Sequence, residues 1–164
     1  MPGHKKVLFI CTGNTCRSPM AKVILQQVLR EHGIEDVLVD SAGVVDCSGC
    51  RAHDWARESI KERYGEDLLR THVAKCIKNM DLAGFDLIIT MEEAQKRHLP
   101  ADRTFTLPEL AGVQGDVGDL FGSPPNTYRV GRDRIEELVR KGLGRILSEL
   151  GIDEKGRACD DRQR

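Results

Sequence analysis

Aromatic residues are scarce in this 164-residue chain, with one tryptophan, two tyrosines and four phenylalanines, 4% in all. A slot walled by several aromatic rings is hard to build from so few. A surplus of either charge is missing too. The 25 basic side chains are balanced by 26 acidic ones, for a formal charge of −1. That balance excludes the broad basic surface by which proteins hold nucleic acid or an anionic membrane, so any anion site must be local. Long apolar runs are also lacking. Met1 to Lys6 leads straight into the short run Val7 to Cys11, too brief for a signal or a membrane span. The expectation is a cytoplasmic, monomeric protein that binds neither nucleic acid nor membrane.

With 40% hydrophobic residues, the length suits one domain, at roughly 100 to 200 residues per domain. The compositional oddity is six cysteines: Cys11, Cys16, Cys47, Cys50, Cys76 and Cys159. An even count permits a disulfide framework, but that needs a secretory context. In a reducing compartment most cysteines are small buried hydrophobes, and the exceptions are metal ligands, redox pairs and nucleophiles.

Val7-Leu-Phe-Ile-Cys11 reads as a central strand covered on both faces. A glycine-containing turn follows, then Ser18-Pro19 as a helix start, with Ser18 as cap and Pro19 at the first helical position. Ala21, Ile24, Leu25, Val28 and Leu29 form one apolar stripe ending before Gly33. The alternation repeats. Strands are expected at Val37 to Val39, Asp86 to Thr90 and Arg103 to Leu107, and helices at Ala52 to Arg63 and over the stripe Ile135 to Leu150. Between the last two strands, Thr90-Met-Glu-Glu93 has capping-box spacing for a short helix closed by Pro100. The predicted fold is α/β: a three-layer α/β/α arrangement on a parallel sheet. A single domain spans residues 1–150, and a charged, flexible tail spans 151–164. In such sheets the site lies beyond the carboxyl ends of the strands.

The loop Cys11-Thr12-Gly13-Asn14-Thr15-Cys16-Arg17-Ser18 has the makings of an anion cradle. Loop and helix-terminal N–H groups converge on one spot with partial positive charge, and Arg17 adds a planar fork matched to two phosphoryl oxygens. The same field favours a thiolate at Cys11, and a thiolate beneath a phosphoryl group is a nucleophile. Gly13 is expected to supply a backbone angle that a side chain forbids, and Asn14 to hold the loop through side-chain bonds to backbone. Ser18 either caps the helix or donates to the sulfur. A dinucleotide or nucleoside-triphosphate loop fits poorly, because neither glycine spacing is present.

From Cys11 to Ala21, and in the order of its elements from Lys5 to Leu150, the chain resembles the low-molecular-weight protein-tyrosine phosphatases. The resemblance implies a four-stranded parallel sheet with a phosphate-binding loop after the first strand. It also implies a cysteinyl-phosphate intermediate, phosphorylated proteins as substrates, no metal and no other cofactor, and an aspartic general acid on a late loop. In Asp116-Val-Gly-Asp119-Leu120-Phe121-Gly122, alignment on the aromatic residue and glycine makes Asp119 the acid. Leu120 then stands where the family has proline, which puts the stiffness of this loop in question, and Asp116 is the fallback. Ser41 and His72 match family positions that brace the cradle near Asn14 and Ser18.

Thr15 separates two readings. Phosphotyrosine enzymes of the family commonly carry a bulky aliphatic residue there, whereas the protein-arginine phosphatase branch carries threonine, as here. A hydroxyl at the pocket lip suits a guanidinium, and Phe121 is placed to stack on it. The expected reaction is hydrolysis of phosphoarginine in proteins, with phosphotyrosine hydrolysis as the alternative. Cys16 shares the loop with Cys11 and is a candidate partner for reversible oxidation. Cys47-Ser-Gly-Cys50 has the spacing of half a zinc knuckle or of a redox pair, with a plain solvent-facing loop as the simpler reading. An arsenate reductase on the same cradle would add two mid-chain cysteines, where only Cys76 is found. A non-catalytic phosphoryl-binding module would not need Cys11, Arg17 and an acid together.

Overall fold

The structure, a computed structural model, describes residues 4–158. The apolar run of the first strand becomes β1 (Lys5–Cys11), which pairs in parallel with both β2 (Val37–Gly43) and β3 (Leu87–Thr90). A short edge strand, β4 (Thr104–Thr106), completes an all-parallel sheet of order β2-β1-β3-β4. Side chains of a strand alternate between faces. Val7, Phe9 and Cys11 therefore join one core with α1 (Arg17–Glu31), α2 (Asp54–Tyr64), α3 (Leu107–Leu110) and α4 (Pro125–Glu149), while Leu8 and Ile10 point the other way. There they meet Phe85, Ile88 and Leu99, with Ile77 and Leu82 on short 3-10 turns packed alongside. The order of the strands reverses between β1 and β3, and ligands in open parallel sheets bind at that reversal, beyond the carboxyl ends.

Several local expectations are corrected. The first helix begins at Arg17 with Cys16 as its N-cap and no side-chain cap bond. Ser18 lies inside the first turn because its hydroxyl is engaged elsewhere. The capping box lies at Glu92 and Gln95, two residues later than the threonine, and opens a 3-10 turn over Glu93–Lys96. Thr90 Oγ1 instead donates to the Glu92 carbonyl at 2.9 Å. Ile152 is buried in the core and bridges to Ala158, while Gly156 packs on Ile34. The expected flexible tail therefore does not hold over 151–158. Cys159 lies outside the described residues.

Candidate active site

The loop after β1 curls over its own cysteine. Its left-handed residue is Asn14, at φ 59°, and not Gly13. Asparagine tolerates this conformation better than most residues, which removes the need for glycine there. All the polar groups of Asn14 are engaged. Its N–H donates to Cys11 Sγ (3.3 Å), Nδ2 donates to Ser18 Oγ (2.8 Å), Oδ1 accepts from Lys75 N (3.0 Å), and its carbonyl accepts from His72 Nε2 (2.8 Å). Burial depresses the His72 pKa against the opposing pull of that carbonyl, which favours the neutral ring donating through Nε2.

Gly43, at the end of β2, lets the cradle sit this close to the sheet. A side chain there would place its Cβ 2.7 Å from the Thr12 carbonyl and 2.9 Å from the Gly13 carbonyl carbon. Ser41, from the same Ser-Ala-Gly stretch, does not brace the loop. It is 1% exposed and its hydroxyl has no partner among the described residues, because Asn14 is already satisfied by Ser18, His72 and Lys75.

Cys11 is buried, with the Ser18 hydroxyl 2.9 Å from its sulfur. Asn14 Nδ2 donates into the Ser18 oxygen, so the serine's own hydrogen is free to point at sulfur, in preference to the Ala42 carbonyl at 3.4 Å. A hydrogen bond to sulfur is strongest when the sulfur carries full negative charge, which suits Ser18 to steady a departing thiolate. The backbone N–H groups of Gly13, Thr15, Cys16, Arg17 and Ser18 have no partner among the described residues. They supply the donor set of an anion cradle.

Arg17 is 2% exposed, and its burial requires compensation. One terminal nitrogen donates to Glu92 Oε1 and to the Val117 carbonyl, both at 2.8 Å, and the other donates to Thr12 Oγ1 at 3.2 Å. Gln95 also donates to Thr12 Oγ1, at 3.2 Å, while its carbonyl oxygen takes the Met91 and Glu92 N–H groups. Glu92 and Gln95 thus set the fork of Arg17. Sequence reasoning placed neither of them in the site, although a buried arginine in a cradle signals a hidden carboxylate.

A cleft of about 250 Å³ opens over the cradle, lined by Cys11, Thr15, Arg17, Val45, Cys47, Asp119 and Phe121 among others. Val117 anchors the late loop, accepting from Arg17 and donating to the Met91 carbonyl at 2.8 Å. Beyond it Asp119 reaches the cleft, and its carboxylate accepts the Phe121 N–H at 3.0 Å. Asp116 faces away and accepts the Glu93 N–H at 2.9 Å. Phe121 is 75% exposed at the mouth, edge-on to His53 at 6.3 Å, and His53 stacks on buried Tyr128. His53 N–H also holds the Thr15 carbonyl at 2.9 Å, a support that sequence reasoning missed. Cys16 turns its sulfur to Tyr128 Oη at 3.6 Å, and burial raises its pKa. A larger hollow of about 520 Å³ lies behind the cradle by Lys22, Asp40 and Lys75, whose charges pair with one another. No cysteine is among its described lining residues.

Leu120, standing where the family has proline, is 6% exposed and packs against α4 at Gly131, where an added Cβ would lie 2.9 Å from both Leu120 Cδ atoms. Packing thus restrains the loop where a ring would have done so. Gly131→Ala keeps the Leu120 side chain but pushes it outward. With Asp119 as the acid that the resemblance implies, it is expected to lower kcat by about ten- to a hundredfold, the cost of a small misplacement of such a group, while Tm falls only modestly. Steady-state kinetics beside thermal melts check this; unchanged kcat would mean that the packing does not position Asp119.

The family model described as low molecular weight phosphotyrosine protein phosphatase matches residues 6–152. A protein-arginine-phosphatase of Bacillus subtilis (strain 168) is 34% identical over 142 residues, covering 82% of this chain and 92% of the relative. A low molecular weight protein tyrosine phosphatase from T. tengcongensis superposes with a TM-score of 0.79 at 38% identity, covering 86% of this chain and 99% of that one. A YwlE arginine phosphatase mutant with a phosphorylated active-site serine superposes at 0.77 with 33% identity, covering 87% of this chain and 95% of that one.

Proposed function

Because the chain belongs to the low molecular weight phosphotyrosine protein phosphatase family, and so is a phosphoprotein phosphatase, we propose that it hydrolyses phosphoarginine in proteins through a phosphorylated Cys11. The observation that carries the covalent step is Cys11 itself, at the base of the anion cleft with the Ser18 hydroxyl on its sulfur. In the first step the thiolate attacks phosphorus, Arg17 and the loop N–H groups hold the phosphoryl oxygens, and Asp119 gives its proton to the departing nitrogen. In the second, Asp119 takes a proton from water as the water attacks, and Cys11 departs towards the Ser18 hydroxyl. The phosphorylated active-site serine of the YwlE mutant supports a covalent intermediate of this kind.

Arginine over tyrosine rests on the lip of the cleft. Thr15, half-buried, lines the cleft there, and Phe121 is the one aromatic ring among the described lining residues. One exposed ring can stack on a planar guanidinium, but it gives a phenol only one wall. Replacing Thr15 by isoleucine adds apolar wall and removes the hydroxyl. It is expected to shift the ratio of kcat/KM values for phosphoarginine and phosphotyrosine peptides by about tenfold or more toward phosphotyrosine, the usual scale of pocket discrimination. If the unsubstituted protein turns over phosphotyrosine peptides far faster than phosphoarginine peptides, the substrate is phosphotyrosine, as the T. tengcongensis relative's name has it. We place its action in the reducing cytoplasm, where a nucleophilic thiol such as Cys11 is kept reduced. No helix among the described residues is long and apolar enough to cross a membrane.

A further inference from the structure

The Cys47-Ser-Gly-Cys50 pair has no part in phosphoryl transfer, yet the fold brings it to the cleft. After β2 the chain stays on the cradle, with Val44 N–H on the Cys11 carbonyl (3.1 Å) and Val45 N–H on the Thr12 carbonyl (2.9 Å). Cys47 then lines the cleft together with Cys11, its sulfur 3.5 Å from where a Cβ on Gly13 would stand. Glycine at position 13 leaves this face of the loop open to the thiol. Cys47 to Cys50 is a turn closed by Cys50 N–H on the Cys47 carbonyl at 2.9 Å, with Gly49 at φ 90°. A turn of this kind holds its first and fourth Cα atoms within about 7 Å, which overlaps the spacing a disulfide needs. The turn is pinned at both ends of its second half, by Gly49 N–H on the Ala74 carbonyl and Ala74 N–H on the Cys50 carbonyl. Cys47 is half-buried and Cys50 exposed. Burial and the neighbouring Cys50, Asp46 and Cys11 all push the Cys47 thiol up, so at rest it stays protonated and does not compete for the phosphoryl group.

We propose that Cys47 and Cys50 form a thiol relay that returns peroxide-oxidised Cys11 to its reduced state and ends as a Cys47–Cys50 disulfide open to an external dithiol. The proposal rests on Cys11 being the nucleophile. Hydrogen peroxide oxidises the Cys11 thiolate by two electrons, the O–O bond breaks, and a sulfenic acid and hydroxide result. The Cys47 sulfur attacks the Cys11 sulfur; the S–O bond breaks, and the hydroxyl leaves as water with the Cys47 proton. Cys50 then attacks Cys47, the Cys11–Cys47 bond breaks, and the Cys50 proton passes to the hydroxide left by the first step. Cys11 departs as a thiolate, received by the Ser18 hydroxyl and Asn14 N–H. The two electrons come from Cys47 and Cys50, and a dithiol reductant restores them by exchange at the exposed Cys50. Cys16, turned to Tyr128, is the competing partner.

Full-length protein and the variants Cys47→Ser, Cys50→Ser and Cys16→Ser are treated with hydrogen peroxide, alkylated, and mapped by peptide mass spectrometry without reduction. The unsubstituted protein and Cys16→Ser are expected to show a Cys47–Cys50 disulfide with Cys11 alkylated. Cys50→Ser, outside the cleft, keeps its untreated turnover and accumulates a Cys11–Cys47 disulfide. Cys47→Ser loses aryl phosphatase activity at a peroxide dose that leaves the unsubstituted protein active. The relay is overturned if the unsubstituted protein yields a Cys11–Cys16 disulfide with Cys47 and Cys50 both alkylated, or if Cys47→Ser tolerates peroxide as well as the parent. Turnover by untreated protein tests the nucleophile separately, so failure of the relay is distinct from failure of the phosphatase mechanism.

Discussion

Serine in place of Cys11 is expected to reduce turnover of p-nitrophenyl phosphate by about three orders of magnitude or more, the scale on which loss of a covalent nucleophile registers. A serine hydroxyl is not ionised near neutrality, and it is a poorer leaving group when water attacks the phosphoenzyme. The cradle itself should survive the change. Its form is set by Asn14 bonding to Ser18, Lys75 and His72, and by Arg17 bonding to Glu92, Val117 and Thr12. None of these bonds involves the sulfur, and only the Asn14 N–H and Ser18 contacts to Cys11 are altered. Binding of inorganic phosphate by calorimetry is therefore expected to persist, as is the melting temperature. Loss of turnover with retained anion binding assigns the sulfur to the chemical step. Full turnover in Cys11→Ser would remove Cys11 from the mechanism, and lost phosphate binding would show that the sulfur helps build the cradle.

The parts of this molecule that were legible in the sequence are those dictated by neighbours along the chain. Val7 to Cys11 is apolar at every position and becomes the strand paired on both sides. The stripe from Ile135 to Leu147 has helical period and is buried throughout. The loop from Cys11 to Ser18 combines a sulfur, a left-handed residue, an arginine and a helix start within one turn of chain, so its chemistry could be read locally. What escaped was set by residues that meet only through strand pairing. Glu92 and Gln95 reach Arg17 and Thr12 because β3 lies beside β1 and ends at the same rim. Cys47 looked like part of a plain loop because its proximity to Gly13 arises from the continued pairing of residues 44 and 45 with the end of β1. The backbone angle expected at Gly13 belongs to Asn14, since either residue type tolerates it and the hydrogen-bond demands of the loop decide. Ser41 departs from its expected bracing role because a hydroxyl at a family position carries no information on whether its partner is already occupied.

Asparagine in place of Asp119 is expected to separate the proton from the shape of the loop. The asparagine oxygen can still accept the Phe121 N–H, so the turn holding Phe121 at the mouth of the cleft is kept. What is lost is the proton, and removal of a positioned general acid typically costs about 10²- to 10⁴-fold. The cost must depend on the leaving group. A nitrophenolate departs readily without a proton, so p-nitrophenyl phosphate turnover should fall least. In phosphoarginine the departing atom is a guanidino nitrogen, which cannot leave as an anion and has to be protonated as the P–N bond breaks. Phosphoarginine peptides should therefore lose activity toward the upper end of that range. Asp116→Asn serves as the comparison, because its carboxylate accepts from Glu93 N–H away from the cleft, and it should leave kcat near the parent value for both substrates. Should the two variants exchange effects, Asp116 is the acid. Should Asp119→Asn affect nitrophenyl and phosphoarginine substrates equally, Asp119 acts on a step common to both, such as water attack on the phosphoenzyme, and the leaving nitrogen draws its proton from elsewhere.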